Sequence, residues 1–129
     1  MAVLGVNHVN FHADPTLIEA MMAFYRDAVG LEVGPRPPFK DHGYWLYACG
    51  APVVHLYVTV GSETRRMGAD TTFDHFAFTC RDLPGVEAAL AKLGVAHRRS
   101  FVPATGITQI FLVDPAGNRV ELQFSETAG

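Results

Sequence analysis

Apolar and polar residues alternate in several short segments of this chain, and apolar residues recur at helical spacing in two others. Residues 6–11 alternate, which is typical of a strand with one buried face. Asp14-Pro15 then predicts a helix start, and the helical spacing continues until Gly30 ends it. Three further strands are predicted near residues 31–34, 44–49 and 53–58. The first half of the chain therefore reads as a βαβββ module.

The second half shows the same order of elements. Residues 73–79 predict a strand, and Asp82-Leu83-Pro84 opens a helix that ends at Gly94. Strands are predicted near residues 97–102, 108–113 and 119–124. Asp, Pro, Gly and Asn in residues 114–118 predict a turn that joins the last two strands as a hairpin.

The two halves also resemble each other residue by residue. VNHVNFHADP resembles FDHFAFTCRDLP, which aligns His8 with His75 at an offset of 67 residues. VVHLYV resembles RVELQF, which aligns His55 with Glu121 at an offset of 66 residues. We therefore predict a single α+β domain, residues 1–129, with two tandem βαβββ modules at about 1–60 and 73–129 and a linker at 61–72.

The four aligned residues share one property: each lies on the polar face of its predicted strand. Because side chains alternate between the two faces of a strand, the apolar residues beside them face the other way, toward the helices. Two related sheets that face each other would bring the four groups together. We predict that His8, His55, His75 and Glu121 bind one divalent metal ion. Imidazole and carboxylate ligands suit Fe, Mn, Ni, Co or Zn and do not select among them.

Other residues on these polar faces are candidates for contact with a substrate. His12 follows His8 on the same face and is a candidate acid or base. Asn10, Tyr57 and Gln123 are predicted to line the substrate site. A small-molecule substrate could occupy the metal positions that four protein ligands leave open.

Composition narrows the class of protein. The chain has 129 residues, of which 49% are hydrophobic and 18% charged, which fits one folded domain. The net charge is −3 and the basic residues form no stripe, so we predict no nucleic-acid partner. No segment approaches the roughly 20 apolar residues that span a bilayer. The N-terminus lacks a basic start before an apolar run, so we predict no membrane association and a cytoplasmic location.

Three segments resemble the vicinal oxygen chelate superfamily: FYRDAVGLEV, FDHFAF and DPAGNRVELQF. That superfamily includes glyoxalase I, extradiol dioxygenases, methylmalonyl-CoA epimerase, fosfomycin-resistance enzymes and bleomycin-binding proteins. The resemblance implies paired βαβββ modules that form curled mixed sheets around a metal-binding cleft. It implies ligands on the first and last strand of each module, which are the four residues above. It also implies a homodimer.

The resemblance leaves three functions open. The first is a metal-dependent lyase or isomerase of glyoxalase type that acts through an enediolate, with Glu121 as ligand and general base and His12 as a weaker base. The second is an Fe(II) extradiol-type dioxygenase with ligands His8, His75 and Glu121, in which His55 is an acid or base. The third is a non-enzymatic protein that binds a small molecule or drug, like the bleomycin binders.

Departures from the family patterns bear on these alternatives. Glyoxalase I commonly has an Arg and an Asn that help hold glutathione where this chain has His12 and Thr59. Extradiol dioxygenases carry a Tyr where this chain has Phe111. Three His and one Glu leave about one positive charge on a bound dication, which favours an anionic substrate.

Overall fold

A computed structural model describes residues 2–60, 63–68 and 70–125 of the chain. The chain divides into two compact units, and the division falls between Arg65 and Arg66. Each unit contains one βαβββ module. No helix within the described ranges is long and apolar enough to cross a membrane.

Unit 1 forms a four-stranded mixed sheet and one helix. Its elements are β1 (Val9–Ala13), α1 (Pro15–Asp27), β2 (Glu32–Gly34), β3 (Gly43–Ala48) and β4 (Ala51–Val58). The strand order is β1-β4-β3-β2, in which only the β1–β4 pair is parallel. Asp14 caps α1 by accepting a 2.8 Å hydrogen bond from the Leu17 amide, and Pro15 occupies the first helical position, as predicted.

Unit 2 repeats this topology. Its elements are β5 (His75–Cys80), α2 (Leu83–Leu93), β6 (His97–Val102), β7 (Ile107–Val113) and β8 (Arg119–Phe124). The strand order is β5-β8-β7-β6, and again only the pair of first and last strands is parallel. The predicted α+β fold with two βαβββ modules is confirmed.

The first strand of each module starts later than predicted. β1 begins at Val9, so His8 lies just before the strand and not within it. In the parallel register Asn7 would lie opposite Pro52, which has no N–H to continue the ladder. β5 begins at His75, because the next position on its partner strand, Asn118, belongs to the turn before β8.

The core of unit 1 lies between α1 and one face of the sheet. Three residues at helical spacing and three strand residues are fully buried there: Ile18, Met21, Tyr25, Leu46, Val54 and Leu56. The Tyr25 ring also packs 5.9 Å from the Phe11 ring, measured between centroids. Because Asn10 pairs with His55 in the β1–β4 register, these two residues share the opposite face of the sheet.

The core of unit 2 is formed by one residue of α2 and alternate residues of β7 and β8. These buried residues are Leu90, Ile110, Leu112, Val120, Leu122 and Phe124. Alternation then puts Phe111, Glu121 and Gln123 on the other face.

The hairpin turn between β7 and β8 is tightly specified. The Asp114 carboxylate accepts hydrogen bonds from the Ala116 and Asn118 amides, each at 2.9 Å. Gly117 has φ +87°, and a Cβ there would come within 2.7 Å of the Gly68 Cα. Only glycine combines that backbone conformation with so close an approach.

One side-chain cluster joins α1 to the strand beside it. The Tyr44 hydroxyl donates to both carboxylate oxygens of Glu19 at 2.8 Å, and His42 Nε2 lies 3.0 Å from Glu19 Oε1. The hydrogen bond from Tyr44, and then that from His42, lowers the pKa of Glu19 below its ordinary value.

We predict that Glu19→Gln lowers the free energy of unfolding by about 0.5–1 kcal/mol at pH 7. A carboxyl whose pKa is lowered by folding stabilises the fold above its unfolded pKa, and this contribution is lost as pH falls through the folded pKa. Urea unfolding at pH 7 and pH 3 should show the difference from wild type only at pH 7. Glu32→Gln, on exposed β2, is the control. An equal loss at both pH values would contradict the prediction.

Candidate functional site

The two aligned residues of unit 2 are in contact. His75 is the first residue of β5, Glu121 is central in β8, and His75 Nε2 lies 3.2 Å from Glu121 Oε1. Two neighbouring ligands that each lie about 2.1 Å from one ion at a right angle are about 3 Å apart. Glu121 is only 4% exposed. A buried carboxylate beside an imidazole nitrogen at this spacing is a suitable pair of ligands for a divalent ion.

The side chains around this pair orient both ligand groups. The His75 Nδ1–H donates to Asp74 Oδ2 at 2.7 Å, so Nε2 is the ring nitrogen that faces Glu121. Gln123 Nε2 donates to Glu121 Oε2 at 3.1 Å. Metal-binding histidines commonly donate their second ring N–H to a carboxylate or carbonyl oxygen in this way. The hydrogen bond to Asp74 is the main cause that raises the pKa of His75, and the negative charge of Glu121 adds to it.

Unit 1 holds its first aligned histidine in the same manner. The His8 Nδ1–H donates to Asn7 Oδ1 at 2.7 Å, the distance found for His75 and Asp74 in unit 2. Asn7 and Asp74 each directly precede the aligned histidine. The same ring nitrogen, Nδ1, is therefore held by the preceding residue in both copies.

His55 is arranged differently from Glu121, its counterpart in unit 2. Its ring is stacked on His8, with centroids 3.9 Å apart and planes 10° apart, and on Trp45, at 4.2 Å and 13°. The side chain is buried, at 5% exposed, and its Nε2 lies 3.1 Å from the Pro52 carbonyl oxygen. Burial is the main cause that lowers the pKa of His55. The neutral ring then donates Nε2–H to Pro52.

Because their rings are stacked, His8 and His55 are not oriented to bind the same metal ion. A metal ion lies in the ring plane of each imidazole that binds it, along the nitrogen lone pair. Two rings that are parallel and offset by their stacking distance have no common plane in which one ion could lie. Ligation of one ion by both would require the His55 ring to turn away from its stack. The four-ligand set stays a prediction.

The residues that were predicted to contact a substrate have different surroundings. Asn10 is exposed on β1, beside His55 in the register. The His12 ring stacks on the Tyr57 ring, with centroids 5.4 Å apart. The Arg36 guanidinium carbon lies 5.0 Å from the centroid of the Tyr57 ring. Gln123 contacts Glu121 directly. Within the described part of the chain, no group of three or more His, Cys, Asp or Glu side chains is placed to hold a metal ion.

Four residues of these clusters were not identified as functional from the sequence. Asn7 and Asp74 orient the aligned histidines, and their matching positions in the two halves were a signal that could have revealed them. Trp45 stacks on His55, and Phe111 lies edge-on to His75 with ring centroids 6.0 Å apart. These two rings oppose His55 and Glu121 in the strand registers, a relation that only strand pairing reveals.

Solved structures share this fold. A glyoxalase family protein from Bacillus anthracis is 22% identical, with a TM-score of 0.74 and 98% of each chain covered. Lactoylglutathione lyase from Agrobacterium tumefaciens is 24% identical, with a TM-score of 0.65 and 96% of each chain covered. A glyoxylase/bleomycin resistance protein/dioxygenase domain from a Frankia species is 17% identical, with a TM-score of 0.75, covering 99% of this chain and 96% of that one. At these identities the likeness shows the fold alone.

The chain was also compared with proteins of curated function and with protein families. A comparison with proteins of curated function found no match. The family described as "glyoxalase-like domain" matches residues 10–123, which is most of the chain. That match spans both βαβββ modules and includes three of the four aligned residues, His55, His75 and Glu121. The chain therefore belongs to the glyoxalase-like domain family, within the vicinal oxygen chelate superfamily.

Proposed function

We propose that this protein is a divalent-metal-dependent enzyme whose small substrate binds the metal through two neighbouring oxygens. The observation that carries the proposal is the contact between His75 Nε2 and Glu121 Oε1 at 3.2 Å, with Asp74 holding the other nitrogen of the same ring. A donor pair at this spacing, oriented by a carboxylate, fits a divalent ion. His8, which is held in the same way by Asn7, is the third proposed ligand.

The reaction that we propose first is a lyase or isomerase step of glyoxalase type. A bound dication would supply positive charge that lowers the pKa of a C–H next to a chelated carbonyl. Glu121 would accept the proton at Oε2, because Oε1 faces His75 and would bind the metal, and Oε2 keeps a second lone pair beside the Gln123 hydrogen bond. Its burial keeps water from competing for that oxygen. His12, stacked on Tyr57, is the weaker candidate base.

A second candidate is an Fe(II) extradiol-type dioxygenase. The stacking of His55 on His8 favours it, because this arrangement leaves His8, His75 and Glu121 as the ligand set. Two His and one carboxylate on one side of Fe(II) leave positions for substrate and O2. Buried His55 would then serve as an acid or base beside the metal.

The first prediction concerns metal content. We expect the chain, purified without chelator, to contain about one equivalent of metal per chain, and His75→Ala to lose it. Asp74→Ala should weaken metal binding about 10- to 100-fold, because the hydrogen bond that orients the His75 ring is removed. Elemental analysis and metal titration measure both effects.

Asp70→Ala is the matched control for Asp74→Ala. Asp70 and Asp74 both pair with Arg119, but only Asp74 contacts His75. Equal losses in the two variants would mean that surface charge, and not orientation of His75, matters. A wild-type chain that stays without metal after incubation with Fe, Mn, Ni, Co and Zn would refute the proposal and favour a non-enzymatic binder.

The second prediction concerns His55. Because its ring is stacked parallel to His8, we expect His55→Ala to keep metal content within about twofold of wild type. Loss of the metal in this variant would contradict this expectation and show that His55 is needed at the metal, either as a fourth ligand or as the ring that supports His8. With metal retained, O2 uptake that requires Fe(II) would select the dioxygenase, and turnover with Ni or Co in the absence of O2 would select the lyase or isomerase.

A further inference from the structure

In each sheet, a row of three paired residues runs from the last strand of the module, across the neighbouring strand, to the outer strand. The two rows differ at the residue on the outer strand. The rows are His55, Trp45 and Gly34 in unit 1, and Glu121, Phe111 and Arg98 in unit 2. Residues opposite each other in an antiparallel pair share a face. An aromatic ring therefore lies beside the ligand-type residue in both units, but only unit 2 has a side chain beyond it.

The difference has a steric cause in unit 1. A Cβ at Gly34 would come within 2.7 Å of the Tyr47 ring, so the outer position there is filled by Tyr47. Nothing similar restricts Arg98, which is exposed and lies with its guanidinium carbon 4.6 Å from the centroid of the Phe111 ring. The end of the row in unit 2 is therefore a cation next to an aromatic ring.

Arg98 differs from the neighbouring arginines because it has no carboxylate partner among the described residues. Arg99 points to the opposite face and pairs with Glu87 of α2 at 2.8 Å. Arg119, the other arginine nearby, is paired with Asp70 and Asp74. Across residues 2–60, 63–68 and 70–125, no carboxylate forms an ion pair with Arg98.

A cavity of about 650 Å³ in unit 2 lies beside the Phe111 ring, and its lining includes Asp74 and Arg119 but not Glu121. His75, Phe111 and Arg98 all line it, and the Phe111 ring contacts both of the others. Its volume suits a small ligand. The backbones of β8 and β6 lie two strand spacings apart, roughly 9.6 Å. A molecule about one ring in length would therefore reach from the His75–Glu121 pair to Arg98.

We propose that Arg98 binds the carboxylate of a small acid whose apolar middle packs against Phe111 and whose two neighbouring oxygens lie at His75 and Glu121. The guanidinium binds a carboxylate through paired N–H groups. The position of the two oxygens rests on the proposed function, but the carboxylate contact does not. Arg98 is then a residue that sets substrate specificity.

The test compares an acid with its uncharged amide. The metal-loaded protein is titrated with 3,4-dihydroxybenzoate and with 3,4-dihydroxybenzamide, which has the same shape and chelating oxygens. We expect wild type to bind the acid roughly 3- to 10-fold more tightly. Arg98→Gln should bring this ratio close to one. Arg99→Gln is the matched control, because it removes a neighbouring charge from the other face, and it should keep the wild-type ratio.

A second titration separates this inference from the proposed metal chemistry. Metal-free protein is titrated with benzoate and benzamide, and the amide resonances of β6 and β7 are followed by NMR. We expect benzoate to shift the resonances near Arg98 and Phe111 in wild type and in Arg99→Gln, but not in Arg98→Gln.

The outcomes distinguish the two ideas. A chain that binds no metal but loses its response to benzoate in Arg98→Gln would refute the proposed function and support the role of Arg98. A metal-binding chain whose preference for the acid is unchanged in Arg98→Gln would overturn the role of Arg98 and leave the metal proposal intact. The role of Arg98 would also be overturned if benzoate shifted no resonance of β6 or β7 in wild type.

Discussion

Parallel pairing of the first and last strand of each module is the constraint on which the rest of the arrangement depends. It places residues more than 40 positions apart in the chain side by side, His8 near His55 and His75 near Glu121. The buried helix-facing residues fix which face of each strand points to the core. Once Val54, Leu56, Val120 and Leu122 are buried, the residues between them are committed to the opposite face. The hydrophobic core thus selects the positions that can carry chemistry.

The two modules share this scaffold but have diverged in charge. At the central position of the last strand, unit 2 has a buried carboxylate that contacts an imidazole nitrogen. Unit 1 has a buried imidazole whose pKa is lowered by burial and which is stacked between two rings. A buried anion requires a cation or hydrogen-bond donors nearby, whereas a neutral imidazole is satisfied by ring contacts and one carbonyl. Glu121 meets this requirement through Gln123 and His75, so the two units satisfy the central residue of the last strand by different means.

The sequence predicted the features that depend on local rules. Asp14-Pro15 set the helix start, and alternation placed His55 and Glu121 opposite the core residues. The start of β1 was wrong because it depends on Pro52, which is distant in sequence but opposite in the sheet. The stack of His8, His55 and Trp45 could not be predicted, because ring orientation follows from packing and not from alternation. Asn7 and Asp74 could have been identified, since both precede an aligned histidine.

The hairpin turn between β7 and β8 has a consequence for evolution and design. The Asp114 hydrogen bonds and the close contact between Gly117 and Gly68 fix how many residues separate Phe111 from Glu121. An insertion of one residue there would shift β8 by one position and exchange its two faces. Glu121 would then point into the core, and Val120 or Leu122 would take its place. The position of Glu121 thus depends on the length of this loop as well as on the residue itself, so this loop is a poor place for insertions.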